Sequence, residues 1–274
     1  MLSMFSMNSM SNMNNTSAMR GKLLFNVGKP DYNELAHYSD EFQLYPRGVE
    51  LSKLERTTHP NSIIHSVVSD VGLWREFPPV EGISKTIEFA ERIGTTNVLF
   101  HLPSNEDELA HFNDGLEIVK LLDYSIHFEV PRAARITKEE ILMMIERVAK
   151  LGYHFVPDSA HLHANGFSFD EVAHLIKRFD KSIHFVHLNG NAANVGEKDN
   201  HCPVFSPSNN INWIDEFISL LSNPNRIFIY EGNTDSDEFR QSGLPYEIST
   251  YERWNDFAKS YGFTISPYSS MLSY

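Results

Sequence analysis

The feature that most restricts this chain is a recurrence. Short runs rich in β-branched and aromatic residues, each closing on a histidine or a carboxylate, return six times in order: Ile63-Ile64-His65, Leu99-Phe100-His101, His127-Phe128-Glu129, Val156-Pro157-Asp158, His184-Phe185-Val186-His187 and Ile229-Tyr230-Glu231. Near-continuous apolar runs of this length suit parallel strands covered on both faces. Their full extents are 62–68, 97–102, 125–130, 154–158, 183–188 and 226–231, and Leu23 to Val27 and Glu41 to Tyr45 raise the strand candidates to eight.

Helical patterns fill the intervals. Thr137 with Glu140, and Ser168 with Glu171, are capping boxes in which hydroxyl and carboxylate each satisfy backbone amides. Behind them Ile141, Met144, Ile145 and Val148, and likewise Val172, Leu175 and Ile176, form apolar stripes. Further helices are expected over 83–92, 106–122, 213–221 and 251–261. Eight strands alternating with helices imply a parallel sheet, and eight is the number that closes into a barrel. The expected fold is therefore α/β: a single (β/α)8 TIM barrel over residues 22–270, behind a disordered extension over 1–21. An open doubly wound sheet is the alternative, but Val27-Gly28-Lys29-Pro30 stands where its glycine-rich turn would follow the first strand.

The Met, Ser and Asn tract over 1–20 has neither the apolar core of a secretory signal nor the arginine content of a mitochondrial presequence, and its composition favours disorder. The single cysteine, Cys202, excludes an intramolecular disulfide and suits a reducing compartment, cytoplasm or nucleus, rather than secretion. No apolar run approaches the ~20 residues that would span a bilayer. A formal charge of −13 argues against a surface that binds nucleic acid non-specifically, although bound metal would reverse the sign locally.

Chemistry in a barrel sits at the carboxyl ends of the strands. There the recurrence places His65, His101, Glu129, Asp158, His187 and Glu231, with His161, Asp199 and His201 on adjoining loops. A lone strand-end histidine is usually a hydrogen-bonded structural residue. Convergence of six such ends is different, because unpaired carboxylates lose hydration and repel at a cost of several kcal/mol unless cations lie among them. Five histidines and four carboxylates exceed the needs of one or two closed zinc sites. Three divalent cations would bring +6 against −4, leaving a locally positive pocket that suits a phosphate diester.

In order and approximate spacing, His65, His101, Glu129, Asp158-x-x-His161, His187-Leu188-Asn189, Asp199-x-His201 and Glu231 resemble the nine zinc ligands of the endonuclease IV family of apurinic/apyrimidinic (AP) endonucleases, within the xylose isomerase-like TIM barrels. The resemblance runs from about Leu23 to Asn233 and implies three Zn2+ ions per chain. Carried over, His65, His101 and Glu129 would hold the first, and Glu129, Asp158, His187 and Glu231 the second. His161, Asp199 and His201 would hold the third. It implies a monomer that acts on double-stranded DNA in base excision repair, cleaving 5′ to abasic sites through a metal-activated hydroxide. Glu129, Glu231 and Asp158 would be the catalytic carboxylates.

The chain departs from the family around the DNA. Cys202-Pro203 follows His201 in place of a Gly-Glu-Gly turn, and Ser66-Val67 follows His65 in place of a Tyr-Leu wedge. Arg47 is the expected counterpart of the family's groove-entering arginine, Trp74 or Leu73 the replacement wedge, and Lys198 a phosphate contact, with Lys29, Arg75, Arg132 and Arg135 as weaker candidates. His127 and His154 share strand parity with Glu129 and Asp158 and are expected to line the barrel or orient ligands. His163 is either a spare ligand or a loop residue. Two other readings compete. A sugar or sugar-phosphate isomerase on the related barrel would manage with fewer, mostly carboxylate ligands. A non-catalytic DNA-binding descendant would have no need of all nine.

Overall fold

A computed structural model of the chain describes residues 21–27, 43–44, 51–54, 56–66, 74, 80–132, 134–197, 201–231 and 246–265. The strands are β1 (Gly21–Val27), β2 (Gln43–Leu44), β3 (Ile63–His65), β4 (Asn97–His101), β5 (Ser125–Glu129), β6 (His154–Val156), β7 (Phe185–His187), β8 (Ile227–Tyr230) and β9 (Phe263–Ile265). The helices are α1 (Val80–Ile93), α2 (Glu106–Ala110), α3 (Phe112–Val119), α4 (Lys138–Lys150), α5 (Ser159–Ala164), α6 (Phe169–Phe179), α7 (Ile214–Leu221) and α8 (Tyr246–Tyr261).

The pairing is parallel throughout, in the order β6-β5-β4-β3-β2-β1-β8-β7. A parallel bridge between Asp158 and His187, with His187 N donating to Pro157 O at 3.0 Å, joins the two ends of that order and closes the cylinder. The expected (β/α)8 barrel is the fold observed, and β9 was not foreseen. It pairs with Gly21–Leu23 while β2 pairs with Asn26 and Val27, so two strands share one edge of β1.

Alternation along the strands separates two cores. Inward-facing Leu24, Ile63, Leu99, Val156, Phe185 and Ile229 plug the cylinder. Outward-facing Val98, Phe100, Ile126, Phe128, Phe155, Val186 and Phe228 meet the helices. Both capping boxes form as the sequence indicates. Thr137 Oγ1 accepts from Glu140 N at 3.2 Å, Ser168 Oγ accepts from Glu171 N at 3.4 Å, and each glutamate carboxylate accepts from its cap's backbone N–H. Behind the first box, α4 buries Ile141, Met144, Ile145 and Val148, one stripe at helical spacing. The expected helix over 106–122 is broken into α2 and α3 at His111, and α8 starts five residues before position 251.

Trp74 requires a correction. Expected at the surface as a DNA wedge, it is 1 % exposed and packs its ring on Phe112 and Phe128 at centroid distances of 5.5 and 6.3 Å. Its Nε1–H donates to the His101 carbonyl at 3.1 Å, so it braces the end of β4. A large apolar ring with one donor is satisfied there more cheaply than in water. Gly115 on α3 makes room for it: a Cβ at that position would stand 2.1 Å from the indole.

Candidate metal centre

Because β3 to β8 run parallel and in register, their carboxyl ends come to one mouth, and every strand-end residue named above turns inward there. Glu129, at the end of β5, sits at the centre and is fully buried. Its Oε1 lies 2.9 Å from His187 Nδ1 and 2.9 Å from His161 Nδ1. Its Oε2 lies 2.9 Å from His101 Nε2 and 3.4 Å from His65 Nε2. Despite those distances Oε2 receives no hydrogen bond of acceptable geometry. A buried carboxylate oxygen set between two imidazole nitrogens is an arrangement a cation completes.

Three sets of ligand-type atoms lie within 4.8 Å of one another: His65, His101 and Glu129; Glu129, Asp158, His187 and Glu231; and Asp158, His161 and His201. Eight of the nine ligands inferred from sequence are thus brought together, with Glu129 common to the first two sets and Asp158 to the last two. The ninth, Asp199, lies outside the described residues, as do Arg47, Lys198 and Leu73. Imidazole and carboxylate in these proportions suit zinc.

Local structure explains the placement. Asp158 ends β6 and caps α5, its Oδ1 accepting from His161 N at 2.8 Å, and that cap sets the Asp-x-x-His spacing. His161 lies 2.8 Å from the Val130 carbonyl through Nδ1, which leaves Nε2 facing His201 Nε2 at 3.2 Å. Asn189 ties two ligands together: Nδ2 donates to Asp158 Oδ2 at 2.6 Å, and Oδ1 accepts from Glu231 N at 2.9 Å. Ser159 Oγ holds the Asn189 backbone from both sides. His201 has φ of 45°, a left-handed conformation uncommon for a non-glycine residue. Gly190 allows its loop to approach. Gly190 N donates to Cys202 O at 2.8 Å, and a Cβ there would meet the carbonyls of Cys202 and Pro203 at 2.9 Å.

The electrostatics bind these groups as a unit. Burial opposes ionisation of Glu129, but His187, His101 and His161 outweigh it and hold the carboxyl well below its usual range. Glu231 is likewise held down against burial by His187. Burial also works against a charged His187, yet Glu231 and Glu129 raise it well above an ordinary imidazole. Burial pushes Asp158 up, and His161 and His201 only partly offset it. Without metal, a proton on His187 balances two carboxylates; with metal, that proton must leave.

Gln43, the first residue of β2, was missed in the sequence. It is buried against His187 and Glu231, yet glutamine is not a ligand type and the strand is two residues long. His127 and His154 do line the barrel, but at the other end, where they stack on each other at 4.6 Å. His163 pairs with Asn191 at 3.2 Å and belongs to none of the three sets. Cys202 is buried and is also outside them.

No protein-family model matches the chain, and no curated protein matches it. Solved structures do. A xylose isomerase domain-containing protein from Salmonella typhimurium superposes with TM-score 0.61 at 12 % identity, over 90 % of this chain and 99 % of that one. The shared fold is the TIM barrel. An IolI protein with a bound zinc atom follows at TM-score 0.58 and 12 % identity, over 88 % of this chain and 99 % of its own. An L-ribulose 3-epimerase gives TM-score 0.55 at 12 % identity, over 88 % of this chain and 94 % of its own. Likeness at this identity extends to the fold and no further. Among the described residues no helix is long and apolar enough to cross a membrane.

Proposed function

We propose that this chain is a zinc-dependent AP endonuclease, hydrolysing the phosphodiester 5′ to abasic sites in double-stranded DNA in base excision repair. The observation that carries the reading is the overlap of three ligand sets through Glu129 and Asp158. Residues that overlap in this way would hold more than one ion at a single phosphodiester, whereas a single sugar site would have no use for the third set.

Bound zinc would act as a Lewis acid and lower the pKa of a coordinated water. The chain's own part is to hold the ligands and to keep their protons off. His65, His101 and Glu129 would hold one ion, and Glu129, Asp158, His187 and Glu231 another. His161 and His201, with Asp158 and Asp199, would hold the third. Glu129 divides its two oxygens between different histidines, and Asn189 keeps Asp158 and Glu231 turned the same way. Every carboxylate of the described centre is committed to these sets, so Glu129, Asp158 and Glu231 serve as ligands and none is left to act as a general base.

The similarity to sugar-modifying barrels favours a second reading, an isomerase or epimerase of sugars or sugar phosphates. One preparation separates the two. Elemental analysis is expected to give three zinc ions per chain, and a duplex oligonucleotide with one abasic site is expected to be nicked in a chelator-sensitive way. One metal per chain, no nicking, and turnover of a ketose would replace the first reading with the second.

A further inference from the structure

Gln43 is a side chain that the three ligand sets do not account for, although it lies against two of their members. We infer that it is the positioning residue of the central metal site: it selects the His187 nitrogen that ligates, and in the same stroke orients Glu231. The inference rests on the metal-centre reading given above.

The argument runs through proton donors and acceptors. An ionised carboxylate can only accept, so the Gln43 atom beside Glu231 Oε1 must be the amide nitrogen. That fixes the amide's orientation and turns Oε1 toward His187 Nε2, 2.9 Å away. A carbonyl oxygen can only accept in its turn, so Nε2 carries the proton, and Nδ1 is the nitrogen left for metal. Nδ1 faces Glu129 Oε1 at 2.9 Å, Glu231 Oε2 at 3.0 Å and Asp158 Oδ2 at 3.6 Å, the three carboxylates of that set.

The neighbouring rings turn Nε2 into the centre, although His161 also lies 2.9 Å from Glu129 Oε1 through the Nδ1 that faces the Val130 carbonyl. His101 and His65 present Nε2 to Glu129, and His161 presents Nε2 to His201. A ring that must ligate through Nδ1 needs an acceptor beyond its Nε2, and the barrel interior at that point is walled by strands. β2, whose register sets Gln43 beside Ile63 of β3 and Asn26 of β1, supplies the acceptor from the far side of the cylinder. Outer partners of this kind commonly change metal affinity by about 10- to 100-fold.

The test is zinc binding by competition with a chromophoric chelator, together with nitrogen-detected NMR of the imidazoles in the zinc-loaded chain, on wild type, Gln43→Met and Gln43→Glu. Methionine keeps the length and removes both hydrogen bonds; glutamate keeps an acceptor for His187. The expected result is that Gln43→Met loses about 10- to 100-fold in affinity for one zinc while the other two are retained. His187 should read as metal on Nδ1 and proton on Nε2 in wild type and in Gln43→Glu. Three zinc ions held with unchanged affinity by Gln43→Met would overturn this inference alone, as would metal on His187 Nε2 in wild type. A wild-type chain that binds no zinc would overturn it together with the metal-centre reading. Should Gln43→Met fail to fold, the NMR pattern of Gln43→Glu decides, and metal found on Nε2 would count against the inference.

Discussion

The barrel carries a cluster of histidines at each end, and among the described residues only one cluster interleaves with carboxylates. At the mouth, His65, His101, His161, His187 and His201 interleave with Glu129, Asp158 and Glu231. At the opposite end His127, His154 and His184 have mainly each other, with ring centroids 4.6 and 4.2 Å apart along the row. His127 Nε2 lies 3.1 Å from Ser125 Oγ, while the Nδ1 atoms of His127 and His154 are buried without a partner. Burial, and then the neighbouring rings, press His127 far below an ordinary imidazole, whereas the carboxylates lift His187 far above one. Imidazoles crowded together stay neutral and pack as aromatics; imidazoles crowded around carboxylates collect charge, first protons and then metal.

The strongest test of that contrast is Glu129→Gln. Removing the shared carboxylate should reduce the zinc content to one and lower incision by on the order of a thousandfold or more, as when groups acting as one unit are broken. Full zinc content in this variant would make the mouth no different from the opposite end. Next in size is metal removal. At free zinc a thousandfold above each dissociation constant, loading should add about 4 kcal/mol per occupied site to unfolding stability, read from chemical denaturation with and without chelator. Gly190→Ala should follow, pushing the His201 loop off its carbonyl contacts at a cost of about 1–3 kcal/mol and weakening one zinc selectively.

The smallest effect belongs to the far end. His127→Leu should leave zinc content and incision untouched and change neutral-pH stability by less than about 1.5 kcal/mol. Its signature is in the pH dependence. The folded value of His127 lies below the unfolded value of about 6.5, so the unfolded chain binds the proton first, and stability falls as pH drops from about 6.5 toward the depressed value. The variant should lose that part of the acid sensitivity. His187 has the opposite sign in zinc-free protein: its contribution is complete below about 6.5 and disappears as pH rises through its raised value. Denaturation curves across pH, with and without zinc, would show whether the two ends titrate in opposite senses.

Much of this was legible beforehand, for a physical reason. Strands alternate with period two and end where their apolar run ends, so His65, His101, Glu129, His187 and Glu231 could be assigned to one mouth from spacing alone. The capping boxes were equally open to reading, since their hydrogen bonds are local. What escaped depended on distant partners. Gln43 matters only because β2 lies across the cylinder from His187, and nothing in Phe42-Gln43-Leu44 announces that. Trp74 was misplaced because a large apolar side chain beside a loop reads the same whether it faces water or Phe128. The Asp158 cap was visible as Asp-x-x-His but was taken only as a ligand pair, and α5 went unread.

The last seam of the cylinder has its own consequence. β6 and β7 meet through a bridge between Asp158 and His187, and both residues are claimed by the central ion set. An ion gripped by the pair would act as a clasp on the wall of the barrel itself. Stripping the metal should therefore loosen this staves' joint ahead of any other, with the His187 amide exchanging its hydrogen sooner than those of β4 and β5. Emptying the site and opening the barrel would then be one motion.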